Sequence, residues 1–577
     1  MKRFLTITLA SVLIFCSGCS KQAETNAPDT SVIAQKYAPE SSIAVLRFSS
    51  VEKLFSTFNI KPESVMGQEV SNDRSEMTQI LGFDPMDLTQ YDQKGFDIKK
   101  EFGFVLSSFQ ADSSGIDNSK ADIGFLVPVK DKDKAYKYVK ETLEKNKEEG
   151  MNVSEASGMI SITSDQEPGF LATIKADKEY MAFNISMNTQ QTAGIYFDCK
   201  KHLADTPNYA EVAKSLNLGT DASFYMDFKT FFNAENEKSL SSISINPMIP
   251  QNEMKALGLL KSYRGIGAAC DLSKSDLIVN MAAFIDKDNP FNKLIENTKS
   301  DKSVILGFEK RPALLFAFMV NIKEYLNFYL DTATEEMKGE FESKTAEINQ
   351  EWGIDIRKDF IDILAGSVNL GLYDGGSINL MQYNAVVNFN VTDPAAIISL
   401  IEKTKARTGI TEIEASQFEQ MFQIQGDGKV KVYQFYAGVP VFIAIENDNV
   451  SIISTKDYVT DILNKSNAKF IDKANKDIAP KLKNDQNFFF LDIAEAYLAA
   501  KNLYMFYAGM SGQDNILNAE ADKFVSNFEY IYSGGNFKGE KAVSEFIVKT
   551  KFTKPFFIAL QEEWDKVKAS QTAEAEK

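Results

Sequence analysis

One histidine, His202, stands in 577 residues. A metal site built on two histidines, including the His-Glu-x-x-His helix, is therefore excluded. A Ser/His/Asp triad would have to use that single ring. No Gly-x-Ser-x-Gly elbow and no Gly-x-x-x-x-Gly-Lys-Ser/Thr loop occurs, so the usual nucleophile turn and phosphate cradle are missing. Gly265-Ile266-Gly267-Ala268-Ala269-Cys270 stops one residue short of a dinucleotide fingerprint and reads as a small-residue strand. Basic residues are in deficit, 63 against 80 acidic ones, for a net charge of −17. Such a chain repels phosphate backbones and anionic lipid surfaces, so no nucleic-acid partner is expected. Carboxylate pairs are too common in so acidic a chain for any one of them to mark a hydrolase. After the N-terminal segment no uncharged apolar run reaches the roughly 20 residues a spanning helix needs.

Phenylalanine, by contrast, is abundant at 43 residues, and 44% of the chain is hydrophobic. Large cores are feasible, since each Phe buries on the order of 150–250 Å². The N-terminus carries an address. Met1-Lys2-Arg3 is basic, Phe4 to Phe15 is largely apolar, and Ser17 and Gly18 precede Cys19. That is the three-part pattern of an export signal. Cys16-Ser17-Gly18-Cys19 resembles the lipobox of bacterial lipoproteins, departing from it at Cys16, where Leu is usual. The resemblance implies cleavage after Gly18 and acylation of Cys19. It also implies an outer-membrane address, since Ser20 replaces the Asp that favours inner-membrane retention. Residues 1–18 are then the signal, and 19–39, rich in Ser, Thr, Gln, Asn, Asp and Pro, a flexible linker. Removing Lys2 and Arg3 takes the balance to −19. Cys199 and Cys270 remain in an oxidising compartment, where they can pair as a disulfide or stay as small buried hydrophobes.

Self-comparison shows six landmarks recurring in order. Ile43–Phe48 matches Leu314–Phe318, and Gly95–Lys100 matches Gly353–Lys358. Phe125–Asp131 matches Val387–Asp393, and Lys201-His202-Leu203 matches Lys469-Phe470-Ile471. Ser223–Phe228 matches Phe488–Ile493, and Leu272–Phe291 matches Phe537–Phe556. Two tandem copies follow, 40–304 and 305–566, with 567–577 a polar tail. In each copy an apolar strand runs into an Asp, Asp131 or Asp393, that caps a helix whose apolar residues share one face. The second helix opens on Pro394, favoured there because its missing N–H is not needed. Later runs with short polar turns favour antiparallel pairing. The expected fold class is α+β: two tandem homologous domains with antiparallel sheets and helices packed on one face. Thr332 to Trp352 reads as an inserted amphipathic helix, with Thr332 and Glu335 in a capping box and Met337, Phe341, Ile348 and Trp352 on one face.

His202 is replaced by Phe470 in the second copy, which favours packing over catalysis. Asp227 and Asp492 recur at strand ends as caps. Asp286-Lys287-Asp288-Asn289 lacks the spacing of a calcium loop and reads as a solvated turn. No catalytic residue, metal or cofactor is expected. Lipobox, linker and duplicated unit together resemble large, uncharacterised bacterial lipoproteins. The resulting expectation is a non-catalytic binding or scaffold lipoprotein of the cell envelope, attached to the membrane through its N-terminal lipid, with an envelope protein or hydrophobic ligand as partner. The alternatives are a carrier or chaperone for hydrophobic ligands or unfolded envelope proteins, and a carboxylate-dependent hydrolase.

Overall fold

The computed structural model describes residues 31–575 apart from 59–77, 79–80, 85–86, 113–118, 148, 234–235, 237–261, 296–300, 333–334, 374–383, 423–428, 438, 465–468, 474–475 and 512–518. Gly18, Cys19 and the linker through residue 30 lie outside the described residues. The fold is α+β, and its described residues divide into two compact units, 31–286 with 551–575, and 287–550.

The first unit holds ten strands: β1 (Ala44–Phe48), β2 (Phe102–Gln110), β3 (Lys120–Pro128), β4 (Met151–Ala156), β5 (Met159–Ser164), β6 (Phe170–Ala176), β7 (Tyr180–Met187), β8 (Ala222–Asp227), β9 (Tyr263–Cys270) and β10 (Leu277–Ile285). Its helices include α1 (Val51–Thr57), α2 (Lys132–Lys145), α3 (Pro207–Ser215) and α4 (Phe228–Phe231). The strands pair antiparallel in the order β4-β5-β6-β7-β3-β2-β1-β8-β9-β10. Asp131 starts α2 by accepting the Lys134 N–H at 3.1 Å, and Ala135 and Val139 are buried beneath it. The Gly265–Cys270 run is a strand, and its glycine has a packing role. A Cβ at Gly267 would lie 2.3 Å from Val212 Cγ1, so glycine there lets α3 approach the sheet.

Helices lie on both faces of this sheet, not on one as expected. Tyr180 and Ala182 of β7 join the core with Ile33, Tyr196 and Val212, while Met181 and Phe183 join the core under α2. Successive strand residues point to opposite faces, so the two cores are on opposite sides. The linker also ends earlier than its composition suggested. Ile33, Ala34, Tyr37 and Ala38 are buried, and Ile33–Tyr37 forms a π-helical turn. The few apolar residues of an otherwise polar stretch are the ones that dock. Glu101 holds this turn, accepting from Ser31 Oγ (2.9 Å), the Ile33 N–H (3.0 Å) and the Val32 N–H (3.2 Å). Arg47 supplies the counter-charge, with Nε 3.2 Å from Glu101 Oε2, in a pair almost wholly removed from water.

The second unit comprises β11 (Pro312–Met319), β12 (Leu364–Tyr373), β13 (Ala385–Val391), β14 (Thr411–Glu412), β15 (Val430–Tyr436), β16 (Pro440–Glu446), β17 (Asn449–Ile453), β18 (Asn487–Asp492), β19 (Phe528–Lys538) and β20 (Lys541–Thr550). Its helices include α5 (Pro290–Ile295), α6 (Ile322–Thr332), α7 (Glu335–Trp352), α8 (Pro394–Thr408) and α9 (Ile493–Ser511). Its strand order is β14-β15-β16-β17-β13-β12-β11-β18-β19-β20, the order of the first unit position for position. Asp393 caps α8 through the Ala395 and Ala396 N–H groups, and Ile397 and Ile401 are buried. Thr332 belongs to α6 and Glu335 is the first residue of α7, and the expected capping box spans residues 333–334, which lie outside the described residues. The stripe Met337, Phe341, Ile348 and Trp352 is half-buried on the surface, not in a core.

The boundaries differ from those read in the sequence. Residues 287–304 group with the second unit, and 551–575 with the first. The last helix, α10 (Phe556–Ala575), continues through the expected tail, with Val567 buried. Its Phe557 ring lies 4.7 Å from that of Phe58, and the Phe556 N–H donates to the Lys274 carbonyl at 2.8 Å.

Candidate functional site: an apolar sheet face

Antiparallel sheets usually turn apolar residues to the core and polar ones to water. The first unit partly inverts this. A single cross-strand row runs Phe224 (β8), Leu46 (β1), Phe104 (β2), Phe125 (β3) and Phe183 (β7), each residue directly opposite the next. The parallel row beside it is Met226, Ala44, Leu106, Ile123 and Ile185. Phe104 is 41% exposed and Ile185 45%, while the rings of Phe104 and Phe125 stack at 4.6 Å. α2 covers this face at the β5–β7 side, and Phe231, the last residue of α4, with Phe232 after it, covers it near Leu106, Met187 and Met226. Between them is an aromatic trough with no charged side chain on either row.

The polar residues of the same strands point to the opposite, fully covered face. Tyr196 donates to Asn184 Oδ1 at 2.8 Å and lies 3.2 Å from Ser107 Oγ. Asp122, wholly buried, accepts from Ser108, Ser186 and Thr189. The second unit repeats the device with amides. Asn369 donates to Asn388 Oδ1 at 3.1 Å, and Asn388 to Ser451 Oγ at 3.2 Å. Buried polar groups are tolerated when paired in this way. The arrangement depends on Gly124, where a Cβ would stand 2.2 Å from Tyr196 Oη. Gly124→Ala is expected to displace that hydroxyl and cost roughly 1–3 kcal/mol. Urea unfolding measures it, and an unchanged midpoint would contradict the packing described.

The second unit has the equivalent row Ile452, Val387, Leu370, Phe316 and Phe489. It also carries a groove of about 440 Å³ between α6 and α7, lined by Glu324, Asn327, Leu330, Lys338, Glu342 and Arg357. Its lining is charged, unlike the apolar groove an amphipathic α7 would suggest.

Two buried cations play matching parts. Arg47 Nη1 donates to the Leu218 carbonyl at 2.7 Å and to that of Thr220, ahead of β8. Lys302 Nζ donates to the Lys483 carbonyl at 2.9 Å and to that of Asp485, ahead of β18. Burial pushes Lys302 down to about 8, partly opposed by the Asp485 charge. Burial pushes Asp485 up to about 6, opposed by the Tyr532 hydroxyl and the charges of Lys481 and Lys302. A carboxyl raised in the fold contributes stability that is present below its unfolded value near 4 and lost as pH rises through 6. The stability difference between wild type and Asp485→Asn should therefore fall by up to about 3 kcal/mol from pH 4 to 7. Denaturant unfolding at both pH values checks this, and a constant difference would refute it.

The residues singled out in the sequence do not converge. Cys199 and Cys270 are separate free thiols, which corrects the disulfide reading. Cys199 Sγ lies 3.3 Å from His202 Nδ1, whereas Cys270 closes β9 opposite Ala222 and Val279. Burial raises both thiols, Cys270 to about 11, which favours the protonated form over the thiolate. Asp227 and Asp492 cap the helices after β8 and β18, bonding the Thr230 and Glu495 N–H groups at 2.9 and 3.1 Å. Asp286 pairs with Lys229, and Asn289 caps α5 through the Asn292 N–H. Among the described residues no group of three or more His, Cys, Asp or Glu could hold a metal ion. No described helix is long and apolar enough to cross a membrane. Sequence reading missed the trough, because its residues come from five strands and meet only once register is fixed.

No family model and no curated protein matches the chain. Solved structures of TP0453, a spirochete protein, are similar to part of it. Crystal form IV aligns over 43% of this chain and 81% of its own, at 9% identity and a TM-score of 0.24. Crystal form I aligns over 46% and 82%, at 8% identity and 0.22. Scores this low carry no argument.

Proposed function

We propose that the chain is a non-catalytic, lipid-anchored protein of the cell envelope whose first unit carries a hydrophobic ligand on its apolar sheet face. The carrying observation is the row Phe224-Leu46-Phe104-Phe125-Phe183, apolar throughout and open at Phe104. Exposed apolar surface of this kind marks an interaction site. The Cys16–Cys19 motif supports an outer-membrane anchor on Cys19. The matched strand orders and the six recurring landmarks support descent of both units from one duplicated ancestor. The catalytic alternative has less support, since Asp227 and Asp492 are engaged as caps.

The test is titration of the mature chain, carrying Cys19→Ala, with a fluorescent long-chain fatty acid. Saturable binding is expected. Fluorescence rising only linearly with protein, as for non-specific partition, would overturn the reading.

A further inference from the structure

The groove between α6 and α7 holds charges that do not satisfy one another. Glu324 lies on α6 and Glu342 on α7, and Arg357 enters from the turn Ile356–Phe360 after α7. Among the described residues none of these three side chains makes an ion pair. Lys338 stands one turn before Glu342, at the i,i+4 spacing that ordinarily pairs a Lys with a Glu. It bonds Glu335 at 2.9 Å instead. Asp355 sets the start of the Arg357 turn, accepting the Arg357 and Lys358 N–H groups at 3.1 Å each. The Arg357 guanidinium lies over the Phe341 ring, 5.3 Å from its centroid. Stacking orients a guanidinium by its face and leaves the donors at its edge for a ligand.

We propose that this groove binds a small basic zwitterion, with one carboxylate and two ammonium groups, as in a lysine-containing dipeptide. The site is separate in chemistry from the apolar sheet face of the first unit and does not depend on it. With Lys338 engaged by Glu335, the lining offers one cation and two carboxylates. A planar guanidinium fork matches a carboxylate bidentately, and each Glu can accept from an ammonium. A dicarboxylate would be repelled by the two Glu side chains, and a plain diamine would leave Arg357 without an anion. Leu330 is the one apolar side chain among the described lining residues, so charge rather than hydrocarbon burial selects the ligand. The volume of about 440 Å³ falls within the roughly 300–1,000 Å³ of small-molecule sites.

The experiment is isothermal titration calorimetry of the mature Cys19→Ala chain at pH 7 and low salt. The probes are lysylglycine, putrescine as the diamine and succinate as the dicarboxylate. Lysylglycine should bind saturably, with a Kd below about 1 mM, and the other two at least about tenfold more weakly, the loss expected for one charge-assisted contact. Arg357 and Glu342 are exposed, so replacing either leaves the fold intact. Arg357→Gln should weaken lysylglycine about tenfold and leave putrescine unchanged, whereas Glu342→Gln should weaken both. No saturable heat from lysylglycine at about 10 mM, ten times the expected ceiling on Kd, would overturn the inference. So would putrescine or succinate binding as tightly as lysylglycine, or an Arg357→Gln chain that binds lysylglycine like wild type. None of these outcomes touches the carrier reading of the first unit.

Discussion

Phe104→Asp should weaken fatty-acid binding roughly 30-fold, about 2 kcal/mol, with the fold intact. Phe104 sits at the centre of the apolar row, opposite Leu46 and Phe125, and is 41% exposed. A carboxylate there keeps access to water in the empty protein, so folding loses mainly the aromatic pair, roughly 0.5–1.5 kcal/mol. With ligand bound, the same carboxylate is held against hydrocarbon and must shed water without a partner. Tyr436→Ser is the control, since Tyr436 is 74% exposed at the end of β15 in the other unit. Fluorescence titration of both variants decides the matter. Equal affinities for Phe104→Asp and wild type would remove the row from the binding site.

Glu101→Ala should cost roughly 3–5 kcal/mol and release the N-terminal turn. The substitution leaves the Arg47 guanidinium buried without a counter-ion, the situation in which breaking a pair is most destabilising. It also strips partners from Ser31 Oγ and the Val32 and Ile33 N–H groups. Ile33 and Tyr37 then lose the anchor that holds them in the core. The double variant Arg47→Met with Glu101→Leu should recover most of the loss, because replacing a buried pair by apolar residues is often neutral. Thermal unfolding reports the stability, and proteolysis between residues 31 and 38 reports the release. A Glu101→Ala protein as stable and as protease-resistant as wild type would show that the pair does not hold the turn.

Local features were legible in the sequence because their causes are local. Asp131 and Asp393 bond N–H groups two or three residues on, so a strand-Asp-helix pattern reveals them directly. The recurrence of Gly95 and Gly353 was equally readable, and both adopt positive φ. What was not legible depends on pairs far apart in sequence. Residues 31–38 look like linker until Glu101, about 70 positions away, is known to hold them. Placing the helices on one face failed for a similar reason. Both faces of β2 and β3 carry apolar residues, and alternation cannot say which face each helix covers. The trough is the extreme case, since Phe224 and Phe104 share a row only through their common neighbour Leu46.

Photo-crosslinking tests the central claim most directly. A diazirine-bearing fatty acid is irradiated with the mature Cys19→Ala chain, and the labelled peptides are mapped by mass spectrometry. Adducts should concentrate in β1, β2, β3, β7 and β8, at Phe104 and Phe125 above all. Labelling confined to the second unit, or to the charged groove between α6 and α7, would contradict the assignment of the first unit's sheet face as the carrier surface.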